Sequence, residues 1–187
     1  HVGVKAALFS FTRLAGADPV LGVEMASTGE VGCIGHNFEE ALLLSLEAAK
    51  CRRPVKGILV SAGSEPEKVK FLEAATIFEK LGIPIYATEG TARFLTGHGL
   101  KATLLAWPGE SENDVIHAIK SGLVDFVINI PKSSQRKELS YGGQIRQAAT
   151  RFGCSLLTNM ELTTAYALAL RHHPDFVNNH DVIPLPA

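Results

Sequence analysis

Apolar and polar positions in this chain fall into two alternating kinds of block. Short runs rich in β-branched residues have the pattern of buried strands, and longer stretches with apolar residues three and four apart have the pattern of helices. The clearest pair of blocks lies between Gly57 and Thr91. Gly57–Ser61 is a short apolar run bounded by glycine and by Ala62-Gly63-Ser64, which predicts a buried strand. Ser64-Glu-Pro-Glu67 comes next with a capping serine, a glutamate three residues on and Pro66 in the first turn, which predicts a helix start. Phe71, Ala75 and Phe78 then share one helix face, Lys70, Glu73 and Lys80 lie opposite, and Gly82 closes the helix. Ile83–Ala87 predicts the next strand, which runs into Thr88-Glu-Gly-Thr91. Here a helix start with Thr91 as a possible cap places free N–H groups beside two hydroxyls. Taken alone, that turn is more often capping chemistry than a cradle for phosphate or carboxylate, and convergence with other strand ends is needed to favour the cradle.

The same alternation continues. Ala92–Thr96 predicts a short helix, Lys101–Ala106 a third strand stopping at Trp107-Pro-Gly109, and Ser111–Asp114 the start of a further helix that ends at Gly122. Asp125–Asn129 predicts a fourth strand, Pro131–Gly143 a basic, hydroxyl-rich loop, and Gln144–Phe152 a helix. Ser155–Leu157 is a fifth strand ending at Thr158-Asn159, Met160–His172 a last helix, and the residues from Pro174 onward an aperiodic tail. Upstream, Val2–Phe11 reads as an extended run, Asn37-Phe-Glu-Glu40 caps a helix through Lys50, and Cys51–Lys56 reads as a linker. The N-terminal 35 residues show no obvious core of their own.

This order predicts an α/β fold: a doubly wound, five-stranded parallel sheet flanked by helices, because each right-handed crossover must pack back over the sheet. All strands of such a sheet end on one edge, and ligands bind there where the strand order reverses. Ser61, Thr88, Thr91, Trp107, Asn129, Lys132 and Thr158 are therefore expected along one rim, a set suited to a small anionic ligand with a flat or apolar part. Strands also end in polar residues simply because they stop at the surface, so both readings stand at this point.

Composition narrows the function without deciding it. The 187 residues suffice for one sizeable core, and the formal net charge of −1 advertises neither nucleic acid nor an acidic membrane as partner. Cys33, Cys51 and Cys154 form no C-x-x-C pair or disulfide framework, so reduced thiols of the cytoplasm or an organelle are expected, with Cys154 in the core. No apolar run reaches the roughly 20 residues of a membrane span, and the start lacks a signal-peptide layout. His1 in place of Met leads us to expect a fragment. No compelling nucleophile with its base, Walker loop or G-x-G-x-x-G fingerprint is present, His98 follows a turn close to the rim and reads as a surface-loop histidine, and the His172-His173 pair and His180 show no metal-type spacing or acidic partner pattern. A binding module is favoured over an active site, and neither a catalytic residue nor a metal site is assigned.

A family resemblance enters at Phe9-Ser-Phe-Thr-Arg-Leu-Ala-Gly-Ala-Asp-Pro-Val-Leu-Gly-Val-Glu-Met-Ala-Ser-Thr-Gly-Glu-Val31. This stretch resembles the end of the second ATP-grasp domain of the carbamoyl-phosphate synthetase large subunit. The remainder of the chain is similar to that enzyme's C-terminal allosteric domain, of methylglyoxal-synthase-like fold. The resemblance implies residues 1–50 as the end of the synthetase domain with a connecting helix, and 57–187 as the allosteric domain. It implies an intact ligase that makes carbamoyl phosphate from bicarbonate, ammonia or glutamine nitrogen and ATP, with magnesium or manganese, while this segment holds no cofactor and regulates. The rest of the large subunit and a glutaminase small subunit are the implied protein partners, and the cytoplasm or the mitochondrial matrix the implied compartment.

By the same resemblance, effector contacts fall on Ser61, Thr88, Thr91, Trp107 and Asn129, with Lys68 and Lys132 as phosphate contacts and Thr158 at an ornithine site. Bacterial members that bind UMP or IMP have a lysine where this chain has Trp107. The urea-cycle members, activated by N-acetylglutamate, share the Ala-Trp-Pro at that strand end, but Lys132 and Tyr141 replace two of their asparagines. UMP is the first expectation for the effector and N-acetylglutamate the second. Methylglyoxal synthase itself is disfavoured: its catalytic Gly-Gly-Asp turn is here Gly109-Glu-Ser-Glu112, and its Trp-Asp-Pro stretch is Ile130-Pro131. A structural interaction domain with a degenerate pocket is the remaining competitor.

Overall fold

The structure is a computed structural model and describes residues 1–11, 17–20, 27–131 and 136–176, with the backbone alone at 136–140. Parts of the Phe9–Val31 signature including Glu24-Met25, the loop residues Lys132, Ser133 and Ser134, and most of the expected tail lie outside the described residues.

Two antiparallel strands, β1 (Val2–Leu8) and β2 (Gly29–Gly35), form an N-terminal ribbon in which Val2 faces Gly35 and Leu8 faces Gly29. Helix α1 (Phe38–Ala48) packs on both strands. Gly35 makes that contact possible, since a Cβ there would lie 2.5 Å from the Ala41 amide nitrogen. The expected helix cap is present: the Asn37 side chain accepts from the Glu40 N–H at 2.8 Å.

The main sheet contains β3 (Ile58–Ser61), β4 (Ile85–Thr88), β5 (Thr103–Leu105), β6 (Phe126–Asn129) and β7 (Ser155–Leu157). Its order is β5-β4-β3-β6-β7, all parallel. The crossovers are α2 (Glu65–Lys80), α3 (Glu89–Gly97), α4 (Val115–Lys120) and α5 (Arg136–Arg151), and α6 (Met160–His172) comes after the last strand. Period-two alternation divides the strands between two cores. Val60, Ala87, Ile128 and Leu157 cluster with α2, α3 and α6, while Leu59 and Val127 cluster with α4 and α5. Phe71 and Phe78 of α2 are fully buried, as their spacing predicts, and each such ring contributes about 1.5–3 kcal/mol over an exposed position.

The linker expected at Cys51–Lys56 is pinned to the sheet. The Asp125 carboxylate, just ahead of β6, accepts from the N–H groups of Val55, Lys56 and Gly57 at 3.0, 3.1 and 3.3 Å. Ser155 Oγ accepts from the Arg52 amide and donates to the Arg52 carbonyl. The third strand is shorter than expected, and α3 longer.

Three expectations are corrected. Residues 136–143 are the first two turns of α5, where the composition predicts a loop as far as Gly143. Gly142-Gly143 resembles a breaker but serves a close approach: a Cβ on Gly142 would lie 3.0 Å from the Arg146 guanidinium. The His172-His173 pair does have an acidic partner, Glu39 of α1, at 2.6 Å from His172 Nδ1 and 3.8 Å from His173 Nε2. That contact spans 133 residues, so no local spacing could show it. Cys154 is only half-buried, its Sγ 3.6 Å from the Val124 carbonyl.

Candidate functional site

Chain order runs outward in both directions from β3, so the order reverses between β3 and β6. The carboxyl ends of β3, β4 and β6 open there into a pocket of about 160 Å³. Ser61, Lys68, Thr88, Thr91, Trp107 and Asn129 all line it, with Gly90, Gly142 and Arg146 among the other walls. Thr158, at the end of β7, is half-buried and not part of this lining. Lys132 lies outside the described residues. His98 caps the far end of α3, where its Nδ1 lies 2.8 Å from the Phe94 carbonyl.

Strand pairing fixes the floor. Ser61 and Asn129 are register partners in adjacent strands, and the Thr88 hydroxyl donates to Ser61 Oγ at 3.4 Å. Thr91 is not a cap: α3 starts at Glu89, Thr88 occupies the N-cap position, and Thr91 Oγ1 accepts from the Ala62 amide at 3.2 Å. Since that hydroxyl already accepts from the backbone, its natural role toward a ligand is donation, the role an anion requires.

The helix N-termini beside the pocket differ from those elsewhere. Asn37, Asp114 and Asn159 each cap their helix with a side-chain acceptor, on α1, α4 and α6. Neither Ser64 of α2 nor Thr88 of α3 makes such a bond, so the capping hydrogen bond expected from Ser64 is absent. First-turn amides without a side-chain cap carry positive partial charge and accept an anion in its place.

Arg146, which no sequence pattern singles out, is 2% exposed and forms the innermost wall. Its Nη1 donates to Asn129 Oδ1 at 2.6 Å, and its Nε and Nη2 donate to the two carboxylate oxygens of Asp18 at 2.7 and 2.5 Å. The Arg146 hydrogen bond holds Asp18 below its ordinary carboxylate pKa, more than offsetting partial burial. Lys68 brings a second cation to the mouth, its Nζ 3.4 Å from where a Gly90 Cβ would lie. Glu89 faces the pocket too, but it is paired with Arg93 at 2.7 Å. Trp107, which lines the pocket, stacks on Tyr141 with ring centroids 5.7 Å apart.

Among the described residues, none that line the pocket is His, Cys or Asp. Among the described residues, no group of three His, Cys, Asp or Glu is placed to hold a metal ion. What converges is donors, two cations and an aromatic edge, a set whose chemistry suits a small anion.

Residues 70–158 match the family model described as the MGS-like domain. The chain is also similar along nearly its whole length to segments of much larger proteins. It is 38% identical over 179 residues to the bullfrog (Aquarana catesbeiana) mitochondrial carbamoyl-phosphate synthase [ammonia], covering 94% of this chain and 12% of that protein. It is 36% identical to the multifunctional protein pyr1-3 of Dictyostelium discoideum, covering 100% of this chain and 9% of that protein. To the multifunctional protein CAD of Squalus acanthias it is again 36% identical, covering 99% and 9%. The chain thus spans about a tenth of the length of the curated relatives it matches. It carries an MGS-like domain, and its five-stranded parallel sheet with flanking helices is the α/β fold of that family.

Proposed function

We propose that this MGS-like domain is the regulatory, effector-binding part of a carbamoyl-phosphate synthase large chain, acting in carbamoyl phosphate synthesis for pyrimidine and arginine biosynthesis. Its pocket takes a small anionic effector, with UMP or a similar nucleotide as the first choice. The observation that carries this reading is the pocket at the strand-order reversal, where two helix N-termini without side-chain caps meet Lys68 and Arg146. Two cations and oriented amides are what a phosphate or carboxylate needs. Similarity along the whole chain to synthase segments supplies the context.

N-acetylglutamate is the second reading. It is favoured by the stacked Trp107 and Tyr141, which put apolar surface where a further phosphate-binding cation would otherwise sit. Ornithine, if it binds near Thr158, would occupy a separate place on the rim. Catalysis with ATP and magnesium or manganese belongs in this reading to the rest of the synthetase, as does docking of a glutaminase subunit. Among the described residues no helix is long and apolar enough to cross a membrane, and the relatives include a mitochondrial protein.

Effector binding would then bias the contact between this domain and the synthetase body, a coupling free energy between separate sites. Thermal unfolding with UMP, IMP, N-acetylglutamate and ornithine tests the proposal. A ligand at 100 times its Kd that selects the native state raises stability by about 2.7 kcal/mol. No shift with any of them would favour a degenerate pocket in a purely structural domain. Turnover of dihydroxyacetone phosphate to methylglyoxal would overturn the regulatory assignment.

A further inference from the structure

Arg146 belongs to two places at once. It walls the pocket and holds Asn129 at the end of β6, yet its other contacts go to Asp18, 128 residues earlier in the N-terminal segment. A guanidinium that is 2% exposed needs a counter-charge. Asp18 supplies it from a largely open position, its side chain 42% exposed. The seat for this pair is built into α5 at Gly142, where a Cβ would lie 3.0 Å from Arg146 Nη1, while a Cβ on the neighbouring Gly143 would be in ordinary contact at 3.4 Å from Asp18 Oδ2. Among the described residues, the pair joins the pocket wall to the part of the chain that precedes the main sheet.

We propose that Arg146 is the pocket's principal anion-binding cation and that Asp18 is an internal competitor for it, so that an incoming phosphate or carboxylate displaces Asp18 and releases the 17–20 segment. The inference rests on the effector reading of the pocket and adds how occupancy would be transmitted. Two anions cannot share one buried guanidinium without mutual repulsion, which is strongest where water is scarce. Asp18 is the anion that can leave, because it is partly solvated where it sits and belongs to no helix or strand, whereas Asn129 is locked in the sheet. The Val20 amide, which donates to Asp18 Oδ1 at 3.3 Å, belongs to the same segment and loses its anchorage to α5 when Asp18 departs. The ligand's charge is thereby converted into a change in the N-terminal segment, with no movement of the sheet required.

Two measurements on the 187-residue chain test this. In calorimetric titrations with UMP, N-acetylglutamate and inorganic phosphate, Asp18→Asn should bind the preferred anion at least tenfold more tightly than the wild type. In hydrogen exchange on the wild-type chain, saturation with the same anion should speed exchange of the Val20 amide. The second measurement needs no variant, and it decides the matter if Asp18→Asn fails to fold. Equal or weaker binding by a folded Asp18→Asn chain would overturn the competition, as would unchanged or slower Val20 exchange in the saturated wild type. Binding seen only with Asp18→Asn would support it. Binding by neither protein would overturn the effector reading of the pocket, and this inference with it.

Discussion

Gly142→Ala and Gly143→Ala are neighbouring substitutions in the interior of one helix, and the structure gives them opposite signs. Both gain the helix propensity of alanine, about 1 kcal/mol over glycine. At Gly143 the new methyl meets ordinary contacts, 3.4 Å to Asp18 Oδ2 and 3.8 Å to Arg146 Nη2, so the gain is kept. At Gly142 it would lie 3.0 Å from Arg146 Nη1 and 3.5 Å from Asn129 Oδ1, pressed against the two atoms that make the 2.6 Å bond. Arg146 has little room to yield, because Asp18 holds its other edge and the side chain is buried. Losing a hydrogen bond to a charged group costs about 1.5–3 kcal/mol, so Gly142→Ala should be destabilising by about 0.5–2 kcal/mol net. Gly143→Ala should be stabilising by about 1 kcal/mol, which for a domain of this size raises Tm by about 2–4 °C. Urea unfolding followed by far-UV circular dichroism measures both, and Gly142→Ala should in addition weaken whatever anion the wild type binds. If Gly142→Ala proved as stabilising as Gly143→Ala, the close approach of α5 to Asn129 would be wrong, and with it the innermost wall of the pocket.

Other expected outcomes test separate parts of the structure. Asn37→Ala and Asn159→Ala remove side-chain caps and should each cost about 1 kcal/mol, whereas Ser64→Ala, with no cap bond to lose, should change unfolding midpoints little. Thr91→Val leaves the Ala62 amide without its acceptor and should cost about 1–3 kcal/mol in denaturant titrations, while Thr91→Ser should restore most of that. Asp18 has a folded pKa below its ordinary value, chiefly through the hydrogen bond from Arg146. Its contribution to stability is therefore present above the ordinary carboxylate pKa and lost as pH falls through the lowered folded value. Tm measured from neutral pH down into that acid range should fall less steeply for Asp18→Asn than for the wild type.

Much of this arrangement is legible in the sequence because strands and their ends obey short-range rules. Val60, Ala87 and Ile128 sit in β-branched or small apolar runs, and parallel topology then puts Ser61, Thr88 and Asn129 on a common edge without any knowledge of side-chain contacts. What stays hidden depends on partners far away along the chain. The role of Asp125 as acceptor for three linker amides, the Glu39 contact with His172 and the Asp18–Arg146 pair span 68 to 133 residues. Arg146 is the hardest to see, since a charged residue among Ile145, Ala148 and Ala149 looks like an exposed position on an amphipathic helix. The available signal is Gly142 one turn earlier. A glycine at i−4 from an arginine clears the volume that a buried guanidinium needs, but beside a second glycine it has the look of a loop residue.

Where the fold departs from the most stable arrangement, the departures collect in one place. Of the nine buried polar or charged side chains among the described residues, five (Ser61, Thr88, Thr91, Asn129 and Arg146) line the pocket. Among the described N-caps, the two that lack a side-chain acceptor start helices beside it, each forgoing about 1 kcal/mol that Asn37, Asp114 and Asn159 secure for other helices. Gly142 interrupts the interior of α5 there, forgoing about 1 kcal/mol of intrinsic helix propensity to leave room for Arg146. A sheet edge with no ligand to hold has no physical reason to gather such costs, because apolar packing and ordinary caps would remove them. An anion bound among these groups would offset them, satisfying the uncapped amides and the hydroxyls together. It would also draw Arg146 away from Asp18, so the same interactions that stabilise the bound state would loosen the N-terminal segment.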